Sequence, residues 1–154
     1  MSNDSAYNKA LALLATRDHA RRELAVKLTK AGFAEDAINA ALAQLATQGL
    51  LDDAHFALTY SISRARRGFG PVRIGQELAE RGVDPACIEV ALADPDLDWC
   101  ELAESVWFKK FAGLQPTDLK EKAKQVQFLQ YRGFASEHFS ALFKHAGVDI
   151  AHHE

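Results

Sequence analysis

Apolar residues recur along this chain at helical spacing, and the pattern itself recurs. Gly32, Gly82 and Gly133 are spaced by 50 and 51 residues. Four positions before each glycine stand Leu28, Leu78 and Leu129, and eight before stand Leu24, Ile74 and Gln125. One position after stand Phe33, Val83 and Phe134; six after, Ile38, Ile88 and Phe139; ten after, Leu42, Leu92 and Phe143. Only Gln125 interrupts an apolar column. Offsets of four place apolar side chains on one helix face, and no segment alternates with period two over a strand's length. The pattern predicts an all-α protein of three tandem three-helix repeats, each stacked on its neighbour. The helices are expected at 6–16, 19–31 and 35–48, at 53–67, 71–81 and 85–93, and at 97–112, 117–132 and 136–146. The repeats then span 1–50, 51–93 and 94–147, followed by a frayed tail at 148–154.

The turn residues agree with this division. Gly32, Gly82 and Gly133 fit the position just past a helix, where a left-handed backbone is common and glycine adopts it cheaply. Asp18 is a candidate cap, and Asp118-x-x-Glu121 resembles a capping box. Pro71 and Pro85 fall at first-turn positions, where no amide hydrogen is needed. Gly68-Phe69-Gly70-Pro71 reads as a helix-to-helix turn. It is not a phosphate loop, because no strand precedes it and no Gly-Lys-Ser/Thr follows. Trp99 and Trp107 are expected to pack near the start of the third repeat.

Hydrophobic residues make up 48% of the 154 residues and charged residues 25%, the composition of a globular chain. No run of about 18 apolar residues offers a membrane span, and the first residues lack the pattern of a signal peptide. Cys87 and Cys100 form no Cys-x-x-Cys pair, which points to a reducing compartment and the cytoplasm. The formal net charge of −3 argues against a protein that coats DNA through its total charge. The distribution is more informative. Arg17, Arg21, Arg22, Lys27 and Lys30 form one basic cluster. Arg64, Arg66, Arg67 and Arg73 form a second with no acid among them, and Lys109, Lys110, Lys120, Lys122 and Lys124 a third. Asp94, Asp96, Asp98, Glu101 and Glu104 make an acidic block between the last two.

Solvated helix faces account for many such clusters, and a helix C-terminus favours a cation or two. Neither explains four arginines together, nor basic residues that recur at corresponding places: Arg21/Arg22, Arg73 and Lys122/Lys124 early in the second helix of each repeat, and Arg66/Arg67 and Lys109/Lys110 near the end of the first helix. The expected contact surface is therefore led by Arg64, Arg66, Arg67 and Arg73. Arg17, Arg21 and Arg22 extend it, and Lys110, Lys122 and Lys124 contribute less. The turn at Gly68, Gly70 and Pro71 is expected to gather the arginines on both sides of it into one patch.

No catalytic set is legible. Asp52-Asp53-x-His55 lacks the further ligands a metal needs, and carboxylates suit a helix start anyway. His19 is expected at the surface. Ser61 and Ser63 have no evident base, and the terminal His152-His153-Glu154 is a poor site for a metal. No enzyme, metal or cofactor is expected.

The residues assembled here resemble the RecX family of regulatory proteins. The resemblance covers nearly the whole chain. It includes Leu14-Ala-Thr-Arg-Asp-His-Ala-Arg-Arg-Glu-Leu24 in the first repeat and Phe128-Leu-Gln-Tyr-Arg-Gly-Phe134 in the third. Its strongest part runs from Gly49 to Gly82, with Leu51-Asp52-Asp53, Phe56-Ala57, Tyr60, Arg64, Gly68-Phe-Gly-Pro71, Arg73-Ile74 and Glu77-Leu78. Thr16, often a basic residue in the family, and Gln125 depart from the pattern. The resemblance implies three tandem three-helix repeats in an elongated, curved molecule that binds the RecA nucleoprotein filament. It implies inhibition of filament growth, of ATP hydrolysis and of strand exchange; some members also bind single- and double-stranded DNA. A monomer is expected. The competing readings are a helix-turn-helix DNA-binding protein acting without RecA, and a purely structural helical adaptor.

Overall fold

The computed structural model describes residues 5–143. The tail, the end of the last expected helix and the terminal histidines lie outside these residues. The described chain is helical in nine segments: α1 (Ala6–Thr16), α2 (Arg21–Lys30), α3 (Glu35–Thr47), α4 (Asp53–Arg66), α5 (Pro71–Glu80), α6 (Pro85–Leu92), α7 (Trp99–Phe111), α8 (Leu119–Tyr131) and α9 (Ser136–Phe139). A 3-10 turn, Ser140–Phe143, follows α9. The fold is all-α with three tandem three-helix repeats, as the spacing of apolar residues requires.

The described chain divides into two compact units that cut across this periodicity. One takes the described residues up to Tyr60 together with Glu77–Ala91; the other takes Ser61–Gln76 and the described residues from Leu92 on. The boundary thus falls inside α4 and α5. The first unit is built on Leu24, Leu28, Ile38, Leu42, Leu45 and Leu51, with Tyr7, Leu14 and Phe33 packed against them. The second is built on Trp107, Leu129, Phe134, Phe139 and Phe143, its rings meeting edge to face. Fully burying such side chains contributes roughly 1.5–3 kcal/mol each.

Gln125, the one polar residue in the apolar columns, is buried in the second unit with its amide fully engaged. Its Oε1 accepts from Trp107 Nε1 at 2.7 Å, and its Nε2 donates to the Leu114 carbonyl at 3.0 Å. A buried amide is tolerated when its hydrogen bonds are made.

Helix ends follow the sequence closely, with two corrections: α9 gives way to a 3-10 turn after Phe139, where one helix over 136–146 was expected, and the start of α2 is capped differently. Pro71 and Pro85 each open a helix. The Asp118 carboxylate accepts from the Glu121 amide at 2.7 Å, and Asp98 likewise from Glu101 at 3.0 Å. Asp18 does not cap α2. That helix starts at Arg21 with Ala20 at the cap position, and the Glu23 carboxylate reaches back to accept from the Ala20 amide at 3.0 Å. An exposed Asp18 therefore yields to a half-buried Glu23 one turn inside. The Asp52 and Asp53 carboxylates serve helix starts as well: Asp52 accepts from the His55 amide at 3.2 Å, and Asp53 from the Arg21 amide at 2.8 Å.

In the second unit the start of α5 meets the end of α8, main chain against main chain. The Gly70 amide donates to the Arg132 carbonyl at 2.8 Å, and the Val72 amide to the Gly133 carbonyl at 2.9 Å. Free amides at one helix start satisfy free carbonyls at another helix end, and the helix dipoles meet with opposite sign. The approach is close enough to require glycine on both sides. A Cβ on Gly70 would lie 2.5 Å from the Gly133 carbonyl oxygen, and a Cβ on Gly133, whose φ is +102°, 2.5 Å from Arg73 Cβ.

This junction separates two costs that a glycine substitution normally mixes. Gly32 has a left-handed backbone (φ +97°) but open space around it. Gly32→Ala is expected to destabilise by about 1 kcal/mol, the backbone cost alone. Gly133→Ala adds overlap with Arg73 and is expected to cost at least about 2 kcal/mol. Gly70→Ala carries the overlap without a positive φ. Urea unfolding of the three variants, followed by circular dichroism, checks the order; a Gly32 variant as unstable as the Gly133 variant would contradict it.

Candidate interaction surface

The structure sorts the basic residues picked out in the sequence by what each side chain touches. In the second unit, α4 ends at Arg66 and the chain turns through Gly68, which has φ +92°. This turn presents the Phe69 ring to guanidinium groups from both sides. Arg64 lies 4.0 Å from the ring centroid, Arg73 4.4 Å and Arg132 5.2 Å. A cation over an aromatic face gains about 0.5–1 kcal/mol at an exposed site. The turn thus gathers Arg64 and Arg73, with the ring absorbing part of their mutual repulsion.

Arg66 and Arg67 are exposed and turn elsewhere. They line a cleft of about 400 Å³ with Lys109 and Lys110 from α7, Phe128 from α8 and Arg132 just past its end. Arg132 ties the two groups together: its Nη1 donates to the Arg67 and Gly68 carbonyls, each at 3.3 Å. Lys110 Nζ lies 5.4 Å from the Phe128 ring centroid. Phe69, Lys109 and Arg132 were not among the expected site residues. A signal for Arg132 exists in the repeat, since Arg-Gly-apolar occurs both at Arg81-Gly82-Val83 and at Arg132-Gly133-Phe134.

Lys122 leaves the expected surface. It is only 1% exposed, with Nζ 5.4 Å from the Phe143 ring centroid, so its stem and head belong to the interior of the second unit. Its position early in α8 suggested the surface, but the helix turns that face inward. Lys124, two residues on, is exposed.

Arg17, Arg21 and Arg22 belong to the first unit and are exposed. Arg17 is held by carboxylate: its Nη2 lies 3.1 Å from Glu23 Oε2, which is also 3.5 Å from Arg81 Nε. Arg81 in turn lies 4.8 Å from the Tyr60 ring centroid. His19, expected at the surface, is buried beneath this network at 2% exposure. Its Nδ1 is 3.0 Å from the Arg17 carbonyl and its Nε2 2.8 Å from Lys27 Nζ. A lysine ammonium only donates, so Nε2 accepts and Nδ1–H donates to the carbonyl, which makes the imidazole neutral.

Both titrating groups of the network are shifted downward. Burial holds the His19 pKa below 6.5, helped by the Arg17 and Lys27 charges and opposed by the Arg17 carbonyl. Burial would raise the Glu23 pKa, but the Arg17 hydrogen bond, the Ala20 amide and the Arg17 and Arg81 charges together take it below 4.5. In each case the unfolded chain binds the proton more readily, so stability is complete above the unfolded pKa and falls as pH drops. Thermal stability is therefore expected to hold above pH 6.5, to decline below it through His19, and to decline further below pH 4.5 through Glu23. His19→Gln should remove the first decline and leave the second, as melting curves across this range would reveal.

Among the described residues no group of three or more His, Cys, Asp or Glu side chains could hold a metal, and no helix is long and apolar enough to cross a membrane. Comparison with known proteins fits the repeat geometry. Models of the first, second and third three-helix domains of RecX match residues 6–45, 52–92 and 96–142. The chain is 42% identical over 140 residues to a regulatory protein RecX of Pseudomonas fluorescens, covering 91% of this chain and 90% of that one. It is 41% identical over 148 residues to one of Halorhodospira halophila, covering 96% and 92%. A crystal structure of regulatory protein RecX superposes with a TM-score of 0.75 at 25% identity, over 89% of this chain and 69% of that one. The RecX of Lactobacillus salivarius shares the fold, with a TM-score of 0.76 over 92% of this chain and 94% of that one. Three consecutive domain matches and relatives aligned along almost their whole length place this chain in the RecX family of regulatory proteins.

Proposed function

We propose that this protein binds the RecA nucleoprotein filament in the cytoplasm and inhibits filament growth, ATP hydrolysis and strand exchange, acting as a single chain by binding and not by catalysis. Family membership supports the partner. The observation that carries a binding surface is the basic turn of the second unit, where Phe69 orients Arg64, Arg73 and Arg132 while Arg66 and Arg67 face solvent. Side chains held by a rigid turn lose less conformational freedom on binding than free ones. In this reading the three repeats lie along the filament groove and bridge neighbouring RecA subunits, fixing a state that neither adds protomers nor cycles ATP efficiently. Contacts to single- and double-stranded DNA supplement those to RecA.

RecA's DNA-dependent ATP hydrolysis tests the proposal. Inhibition is expected at or below one protein per RecA protomer, with no hydrolysis by the protein alone. Arg66→Ala/Arg67→Ala spares the residues on the Phe69 ring and should retain the helical spectrum while weakening inhibition about tenfold or more, the loss of about 1.4 kcal/mol of binding. Full inhibition by that folded variant would remove the basic turn from the contact; unchanged RecA turnover at saturating wild-type protein would overturn the function.

A further inference from the structure

The cleft holding Arg66 and Arg67 has a counterpart in the first unit. There a cleft of about 350 Å³ is lined by Arg17, Thr59 and Arg81, among others. Counting by the repeat spacing, Arg17 corresponds to Arg67, offset by 50, and Thr59 and Arg81 correspond to Lys110 and Arg132, offset by 51. The same backbone feature is thus built twice, and its chemistry differs.

In the first copy a carboxylate closes the charge. Glu23 Oε2 lies 3.1 Å from Arg17 and 3.5 Å from Arg81, and Asp18 lines the cleft. In the second copy the lining contains Arg66, Arg67, Lys109, Lys110 and Arg132, and no acid. None of these five forms an ion pair among the described residues. The position corresponding to Glu23 is Arg73, which lies over Phe69. Thr59, neutral in the first copy, has become Lys110.

We propose that this second cleft docks an acidic segment of a partner protein, whose carboxylate engages Arg67 and Arg132 as Glu23 engages Arg17 and Arg81. Two observations favour a short acidic peptide over a nucleic-acid strand. The positive surface is confined: Glu101 and Glu104 are exposed on the same helix as Lys109 and line a hollow with it. A strand with a charge at every nucleotide would meet that acid as it ran on, whereas a short segment does not. The aromatic ring in the cleft also offers no ready stacking platform of the kind single-strand binders use. Phe128 already has Lys110 and Arg132 over it and Phe111 at its edge. Leu102 and Val106, half-buried in the cleft wall, give an apolar side chain of the segment a place to pack.

The proposal rests on the reading of this protein as a regulator that binds a protein partner, and its test needs no RecA. Fluorescence anisotropy with a labelled Glu-Asp-Leu-Asp-Glu peptide is compared with the amide peptide Gln-Asn-Leu-Asn-Gln and with a short oligothymidylate. The wild type is expected to bind the acidic peptide, to bind it more weakly as salt rises, and to ignore the amide peptide. Lys109→Gln/Lys110→Gln, at exposed positions outside any ion pair, should weaken binding by about tenfold or more, while Lys9→Gln/Lys30→Gln, exposed in the first unit, should leave it unchanged. Oligothymidylate binding that the lysine variant abolishes, without acidic-peptide binding, would make the cleft a phosphate site and overturn the proposal. Acidic-peptide binding that survives the lysine variant would also overturn it. A wild type that inhibits RecA but ignores the acidic peptide would sink this inference alone.

Discussion

The second unit depends on a contact between two backbones. Gly70 and Val72 at the start of α5 give their amides to the Arg132 and Gly133 carbonyls at the end of α8, at 2.8 and 2.9 Å. Unsatisfied groups at buried helix ends are costly, and this contact satisfies those of both helices together. It also fixes where every nearby side chain begins. Arg132 leaves the backbone at the contact, Phe69 precedes it, and Arg73 follows on the first turn of α5. The arginine cluster is a consequence of the junction, because a side chain large enough to force the backbones apart would also pull Arg132 away from Phe69 and from the Arg67 and Gly68 carbonyls.

The corresponding place in the first unit is solved with side chains. Ala20 replaces Gly70, the Arg21 amide is taken by the Asp53 carboxylate at 2.8 Å, and Glu23 draws Arg17 and Arg81 together. Gly82 keeps the close approach, since a Cβ there would lie 2.6 Å from Arg22 Cβ. One architectural element therefore carries two electrostatic solutions: a closed acid–base network above a buried neutral His19, and a cationic surface organised by an aromatic ring. A protein with a formal net charge of −3 can in this way offer a strongly basic surface locally, while its other charges serve helix starts and internal pairs.

That division bears on how a binding regulator is built. Residues that stabilise the first unit tie up their charge internally, and exposed charges of this kind are worth little to stability unless networked. Residues on the second unit's turn spend their cation–π contacts on orientation and leave Arg66 and Arg67 directed outward. Rigidity and availability are thus supplied by different side chains of the same turn.

Among the described residues the nine helical segments, their boundaries within a few residues except at the end of α9, and the left-handed ends at Gly32, Gly82 and Gly133 were legible in the sequence, because they follow from local periodicity and from backbone preferences that glycine alone meets cheaply. The repeat was legible for the same reason, and with it the all-α class. Which cations stay exposed was not. Lys122 and His19 lie beside charged residues in sequence yet are buried, Lys122 on the inward face of α8 and His19 in the segment before α2, between the Arg17 carbonyl and Lys27. Asp18 lost its capping role to Glu23, whose reach depends on the course of the chain before α2. Arg132 and Phe69 stand 63 residues apart in sequence and meet only because two glycines let α5 and α8 dock end to end. Local propensity sets the elements; the choice of which charges are neutralised and which remain outward is made by contacts between residues distant in the chain, and only the tertiary structure decides it.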